Sequence, residues 1–363
     1  MSADPRPAVT SAGNGTVSRR LGILGRLGAL SPGRAERALA ARSLSTVGER
    51  VTRWGPLAAL VAMCLVFSVF ADQFASVRNL RSILDSAAVL GVITVGMTFV
   101  LLLGAIDLSV EGVMATCGMT FSLLVLNNRN AADLGLLAVI PVVLIGAVFG
   151  FANGTLSTRL KVPSFMTTVG MSSIGIGIAS LLFGGQQPSM LDGTISNWQT
   201  GRWFGFTRLT YVAIVCVVIG YLIQRHTRLG RYATAIGSAE DIVALSGVNV
   251  RLYKSLAFAV AGAFYGVAAV MITVQLQVGD VNAALGLNFK AITAAVVGGT
   301  LLSGGKGGVL PSMIGVLIVT VLFNGLVLMD VSPYIQQAVQ GVVVVAAVAA
   351  ATWPLRERLR VVK

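Results

Sequence analysis

From Trp54 to Trp353 the chain is an almost unbroken series of apolar segments, parted only by short polar or Gly/Pro-containing breaks. Crossing the hydrocarbon core of a bilayer takes ~20 mostly apolar residues. Ten windows of that kind can be placed: residues 55–71, 86–104, 109–126, 134–152, 165–183, 209–224, 255–275, 289–303, 310–329 and 334–353. A chain that folds in water carries amphipathic stripes, because one face of each surface helix meets solvent. These segments are apolar nearly all round. The expected fold is therefore all-α, a polytopic transmembrane bundle of about ten spans, with the lipid bilayer as its solvent.

Composition agrees, with 55% hydrophobic and only 11% charged residues. Forty-two glycines point to closely approaching helices, since small residues let backbones pack where lipid removes the hydrophobic drive. Cys64, Cys117 and Cys216 all lie inside apolar segments and read as buried free thiols, with neither a disulfide framework nor metal spacing. The one histidine, His226, stands beside Arg225 and Arg228 just past an apolar segment, as a solvated loop residue would. No metal and no cofactor is expected.

A net charge of +13 could suggest nucleic acid, but its distribution excludes that. With ten spans and a cytoplasmic N-terminus, inside-facing stretches hold 21 of the 27 Lys and Arg. The other six are Arg78, Arg81, Arg129, Arg202, Arg208 and Lys290. The acidic residues divide more evenly, so the whole net charge is a positive-inside bias that places both termini in the cytoplasm.

Residues 1–52, rich in Arg, Gly, Ser and Ala, read as a disordered basic cytoplasmic tail. Within it, 19–30 could form a short basic helix on anionic lipid. Its Arg19-Arg20 pair lacks the h-region and cleavage site of an export signal. The membrane domain spans 53–354, with a cytoplasmic loop at 225–254, and 355–363 forms a basic cytoplasmic end. Two stretches, 151–170 and 322–341, share Asn-Gly at the start and a Gly at the same offset (Asn153 to Gly170, Asn324 to Gly341). Asn153 would end its helix inside and Asn324 outside, as in an inverted internal repeat.

No catalytic constellation is present. SGGKGG (303–308) is not a phosphate loop, because Gly307 follows Lys306 where Ser or Thr is needed and no strand precedes it. It reads as a flexible cytoplasmic turn, so the chain would not hydrolyse ATP. Asp107 and Glu111 fall at the break between the second and third windows, four apart and so on one helix face. Asp107 could cap a helix opening at Leu108, with Glu111 near its positive end. Alternatively the pair belongs to a pathway or gate, since acids at membrane depth are costly. Helix interiors lack a ladder of charges, which disfavours an ion-driven relay.

The 225–254 loop carries a basic start, then Glu240-Asp241 and Val-Ala-Leu-Ser-Gly. Gly237 and Gly247 would bracket a short amphipathic helix, with Ile242, Val243 and Leu245 free to insert into a groove. Apolar residues in a water-facing loop need a cover, so a docking helix is favoured over a plain surface helix.

GAIDLSVEG (104–112), NG…VPSFMTTVGMSSIG (153–175), TRLGRYATAIGSAEDIVALSGV (227–248), AAVVGGTLLSGGKGG (294–308) and NGLVLMDVSPYIQQAVQG (324–341) together resemble the inner-membrane permease subunits of ribose-, xylose- and galactoside-type ABC importers. The resemblance runs from about Asn79 to Val348. It implies a pore shared with a second permease subunit, a cytoplasmic ABC ATPase and a periplasmic sugar-binding protein. ATPase coupling falls by resemblance to Gly237, Glu240, Asp241, Ala244 and Gly247. The substrate pathway is expected near Asp107, Glu111, Asn153, Thr168, Ser172 and Asn324. Three positions depart from the family pattern: Ile176 where an arginine is common, Asn288-Phe289-Lys290 where the stretch is usually acidic, and Asp330 where a small residue is usual.

A monosaccharide pore calls for hydroxyls and amides, such as Thr94, Thr98, Thr120, Asn153, Thr168, Ser172, Thr293 and Asn324. The missing cation at Ile176 suggests a neutral substrate. Alternatives are a branched-chain amino-acid permease of the same superfamily, an ion-coupled secondary transporter and an integral membrane enzyme.

Overall fold

The computed structural model describes residues 54–352, which are overwhelmingly α-helical. The expectations for the tail at 1–52, the 19–30 helix and the basic end at 355–363 lie outside the described residues. In chain order the helices are α1 (Trp54–Phe70), α2 (Val77–Leu102), α3 (Val110–Leu124), α4 (Val139–Leu160), α5 (Ser164–Phe183), α6 (Gly193–Thr200), α7 (Arg208–His226), α8 (Arg228–Leu245), α9 (Val250–Leu276), α10 (Leu287–Val297), α11 (Val309–Leu328) and α12 (Pro333–Thr352). A two-stranded hairpin, β1 (Arg202–Trp203) with β2 (Phe206–Thr207), links α6 to α7.

Each of the ten apolar windows falls on a helix. Six helices are long and apolar enough to cross a membrane: α2, α4 with the 3-10 turn before it, α5, α7, α9 and α11. The remaining four, α1, α3, α10 and α12, are apolar over shorter stretches. The chain is thus an all-helical, multi-pass membrane protein.

At the centre lie α2 and α9. Every residue of α2 from Ala87 to Leu102 is buried, as an all-round apolar helix requires. Its first turn is fixed by Ser76, whose hydroxyl accepts from the Asn79 N–H at 3.1 Å. On one side α9 meets α4 along a seam of small residues: Gly146, Gly150 and Gly154, spaced four apart, face Gly262, Gly266 and Ser255. A Cβ on Gly150 would come within 2.7 Å of the Phe258 carbonyl carbon, so the backbones touch directly. Helices at the margin present apolar side chains outward, among them Val69 and Leu181, as lipid contact demands.

Two breaks shape the interior. After α2 the chain runs non-helically beside the first turns of α5 before α3 starts. There the Ile106 and Leu108 N–H groups donate to Ser164 Oγ and Thr168 Oγ1 at 3.1 and 3.0 Å. The helix opens at Val110, not at Leu108. After α9 a second non-helical run, 277–286, passes Gly279 alongside Ser122 and Met119 and brings the Gly286 N–H to Glu111 Oε1 at 2.9 Å. Starting there, α10 has 11 residues. At 1.5 Å per residue that is about 16 Å, roughly half the apolar core.

Candidate functional site

Four of the six pathway candidates converge at the first break. Asp107 is fully buried, and its Oδ1 accepts from the Ser109 N–H and hydroxyl at 2.8 and 2.6 Å. Asp107 therefore makes a turn onto Ser109 rather than capping a helix at Leu108, because the helix opens only at Val110. Asn153 Nδ2 donates to Ser109 Oγ at 2.8 Å, and Ser172 Oγ accepts from the Gly112 N–H at 3.2 Å. With Thr168 on the Leu108 N–H, Asp107, Thr168 and Ser172 satisfy backbone N–H groups that the broken helix leaves open, while Asn153 holds the Ser109 hydroxyl. Glu111 lies close by and holds the second break through Gly286.

Asn324 stands apart. Its amide exchanges two hydrogen bonds with Asn79, at 2.9 and 3.0 Å, tying the start of α2 to α11. Neither Asn153 nor Asn324 ends its helix, since α4 continues to Leu160 and α11 to Leu328. Thr94, Thr98 and Thr293 turn their hydroxyls onto carbonyls one turn back in their own helices. Ile176 lies on the outer surface of α5, so its apolar character answers the surroundings of the bundle and does not report on the substrate.

A polar cavity opens where α2 begins, α9 ends and α11 ends. One part, of about 850 Å³, is lined by residues including Arg78, Arg81, Asp85, Gln199 and Arg202. A second part of about 470 Å³ is lined by Leu287, Lys290, Thr320, Phe323 and Asn324 among others. The two adjoin through Ser82, Ser86 and Gln275, which line both. Of the expected pathway residues only Asn324 is among those lining it. A signal for the rest did exist: Asn79, Ser82 and Ser86 fall at i, i+3 and i+7, a polar stripe on an otherwise apolar helix. Lys290, counted above among outer-loop cations, instead sits in the first turn of α10 with its Nζ 4.9 Å from the Phe323 ring centre.

The coupling candidates occupy α8. Its helical geometry is interrupted at Ala239, whose backbone is extended, so the second helical piece starts at Glu240. Gly237 does not bracket that piece. It lies in the first piece, packed against Leu102 at the end of α2 and Gly305 in the 298–308 loop. That loop is no loose turn: the Gly305 N–H donates to the Leu102 carbonyl, the Leu301 N–H to the Lys306 carbonyl, and Thr300 Oγ1 accepts from Gly308. Glu240 pairs with Lys254 at 2.6 Å. Asp241, Ile242, Ala244 and Leu245 are exposed, while Val243 packs back onto the core. Gly247 takes the left-handed conformation that ends the helix.

Residues 79–348 match the model of the family described as branched-chain amino acid transport system / permease component. The ribose import permease protein of Haemophilus influenzae is 34% identical over 299 residues, covering 80% of this chain and 90% of that one. The corresponding ribose import permease of Escherichia coli K12 is 33% identical over 299 residues, 80% and 91% of the two chains. The L-arabinose transport system permease protein of Escherichia coli K12 is 28% identical over 309 residues, 85% and 93% of the two. No solved structure gives a significant match. On the span of the family match and the near-complete coverage of these relatives, the chain belongs to the branched-chain amino acid transport system permease family, whose members are transport components.

Proposed function

We propose that this chain is a permease subunit of a binding-protein-dependent ABC importer for a monosaccharide, seated in the bacterial inner membrane. The observation that carries this is α8. Its first half is wedged by Gly237 between α2 and the 298–308 loop, while Ile242 and Leu245, 66% and 88% exposed, face outward. An element so placed can pass a push from a cytoplasmic ATPase to the central helix as a rigid-body movement. Glu240, Asp241, Ala244 and Gly247 would form the docking face within the 225–254 loop. A sugar as cargo follows from the relatives, which are named for ribose and arabinose.

The full assembly would comprise a second permease subunit, identical or not, a pair of ATPase domains and a periplasmic sugar-binding protein. Ten crossings within 53–354 and cytoplasmic termini accord with the charge bias. An inverted repeat is supported by the order of helices: α2, short α3, α4 and α5 are matched by α9, short α10, α11 and α12. Packing follows the same pattern, with α9 on α4 as α2 is on α11, and α3 on α9 as α10 is on α2. In each half a non-helical entry precedes the short helix, as transporter repeats require. The Asp107, Glu111, Asn153, Thr168 and Ser172 cluster would hold the first entry in shape, and Asn324 would line the path.

The test is co-purification in detergent, followed by uptake in proteoliposomes. An ATPase subunit should accompany the chain, and accumulation should need ATP and the soluble binding protein. Because the family description names branched-chain amino acids, competition between pentoses, hexoses and leucine decides the cargo. Preference for leucine over every sugar would replace the substrate and leave the importer.

A further inference from the structure

The cavity between α2, α10 and α11 holds a cation that makes no ion pair among the described residues. Lys290 is half-buried and forms no ion pair among the described residues. It is held against Phe323, five residues inside the end of α11, so about 7 Å within that apolar helix. Two acids on neighbouring elements are engaged elsewhere. Asp85 accepts from the Thr207 N–H and hydroxyl at 3.2 and 2.9 Å and from Thr210, and it meets Arg202 at 3.5 Å. Glu111 is taken up by the Gly286 N–H.

An ammonium at this depth is costly, and the face of one ring offsets only part of that cost. The surrounding polar groups, Ser82, Ser86, Gln275 and Asn324, are all neutral. The positive end of α10, which opens at Leu287, carries the Glu111 carboxylate on its Gly286 cap and so adds no free field of its own. In the adjoining cavity Arg78 and Arg81 make no ion pair among the described residues either, so the two spaces hold three unpaired cations and one engaged acid. A neutral sugar would gain nothing from this arrangement. A single negative charge on the ligand would.

We propose that the cavity is a binding site on the import path for a monosaccharide bearing a carboxylate, of the aldonate or uronate class. Lys290 is its charge partner, and Ser82, Ser86, Gln275 and Asn324 receive its hydroxyls. Arg78 and Arg81 draw the anion in. This rests on the importer reading above and narrows its cargo.

The test uses the full-length chain in lipid nanodiscs, with its melting temperature followed against millimolar D-galacturonate, D-galactose or sodium acetate. Galacturonate should raise the melting temperature, while galactose and acetate at equal concentration should not. Lys290→Gln should weaken half-saturation about tenfold or more, the loss expected for one charge-assisted contact. Lys290→Arg, which keeps the charge, should retain the response and guards against a folding defect. Equal shifts with galactose or acetate, no shift at all, or an unchanged response in Lys290→Gln would overturn the proposal. ATP-driven uptake of D-ribose by the complete system separates the two readings. ATP-dependent uptake of D-ribose that D-galacturonate does not compete leaves the importer standing and removes the acid-sugar site, whereas ATP-independent uptake removes the importer itself.

Discussion

Replacing Gly237 by alanine probes the joint between α8 and the bundle. The added Cβ would lie against the Leu102 carbonyl oxygen, 2.6 Å from the Gly305 nitrogen and 3.0 Å from the Leu102 carbonyl carbon. All three are backbone atoms, so no side chain can swing aside. That same carbonyl accepts the Gly305 N–H at 3.0 Å, and the methyl would pry the pair apart. Overpacking costs about 1–3 kcal/mol, and the strained hydrogen bond about 0.5–1.5 kcal/mol more. Helix propensity returns up to about 1 kcal/mol on going from glycine to alanine. The net is a destabilisation of about 0.5–3.5 kcal/mol, relieved by α8 moving away from α2. In proteoliposomes with the ATPase and binding protein, Gly237→Ala should depress uptake far more than basal ATP hydrolysis, and lower the melting temperature. Gly177→Ala is the control: it stands inside α5 and its Cβ would meet nothing within 4 Å, so no backbone has to move. An unchanged melting temperature together with unchanged uptake in Gly237→Ala would refute the joint.

Charge reversal of Glu240 breaks only a partly exposed pair with Lys254, so stability should change by less than ~1 kcal/mol. If α8 docks an ATPase, stimulation by the binding protein should nonetheless fall; wild-type stimulation would remove Glu240 from the docking face. Gly150→Leu should force α4 from α9 and abolish the folded peak in detergent size-exclusion, because the methyl position is filled by the Phe258 backbone; a wild-type profile would contradict the seam. Reporter fusions after Gly205 and after Gly247 should register outside and inside respectively, and the reverse would undo the ten-crossing arrangement. Dissipating proton and sodium gradients should leave ATP-driven uptake intact, while accumulation by the chain alone under an ion gradient would favour a secondary transporter.

How much of this could be read along the chain differs by feature. All-helical architecture and the place of every long apolar helix were legible, because lipid offers no partner to a peptide group and forces each crossing to be locally complete. The α8 loop was legible for the same reason in reverse: Ile242 and Leu245 are apolar where water is expected. Closeness of Asp107, Asn153, Thr168 and Ser172 was expected only loosely, as a region near the path, and their bonding was not. Asp107, Thr168 and Ser172 answer backbone N–H groups at a break whose extent no periodicity marks, and Asn153 answers the Ser109 hydroxyl beside them.

What the tertiary structure alone decided are the encounters between distant residues. Lys290 looks like an outer-loop cation until the 277–286 run carries it down beside α3 and over Phe323. Gly237 looks like a helix boundary until Leu102 and Gly305 close on it. Asn79 meets Asn324 across 245 positions. Along one helix, polarity records only whether a face meets lipid, water or protein. Which residue waits on the other side depends on how helices far apart in sequence pack, and hydrophobic pattern carries no register for that.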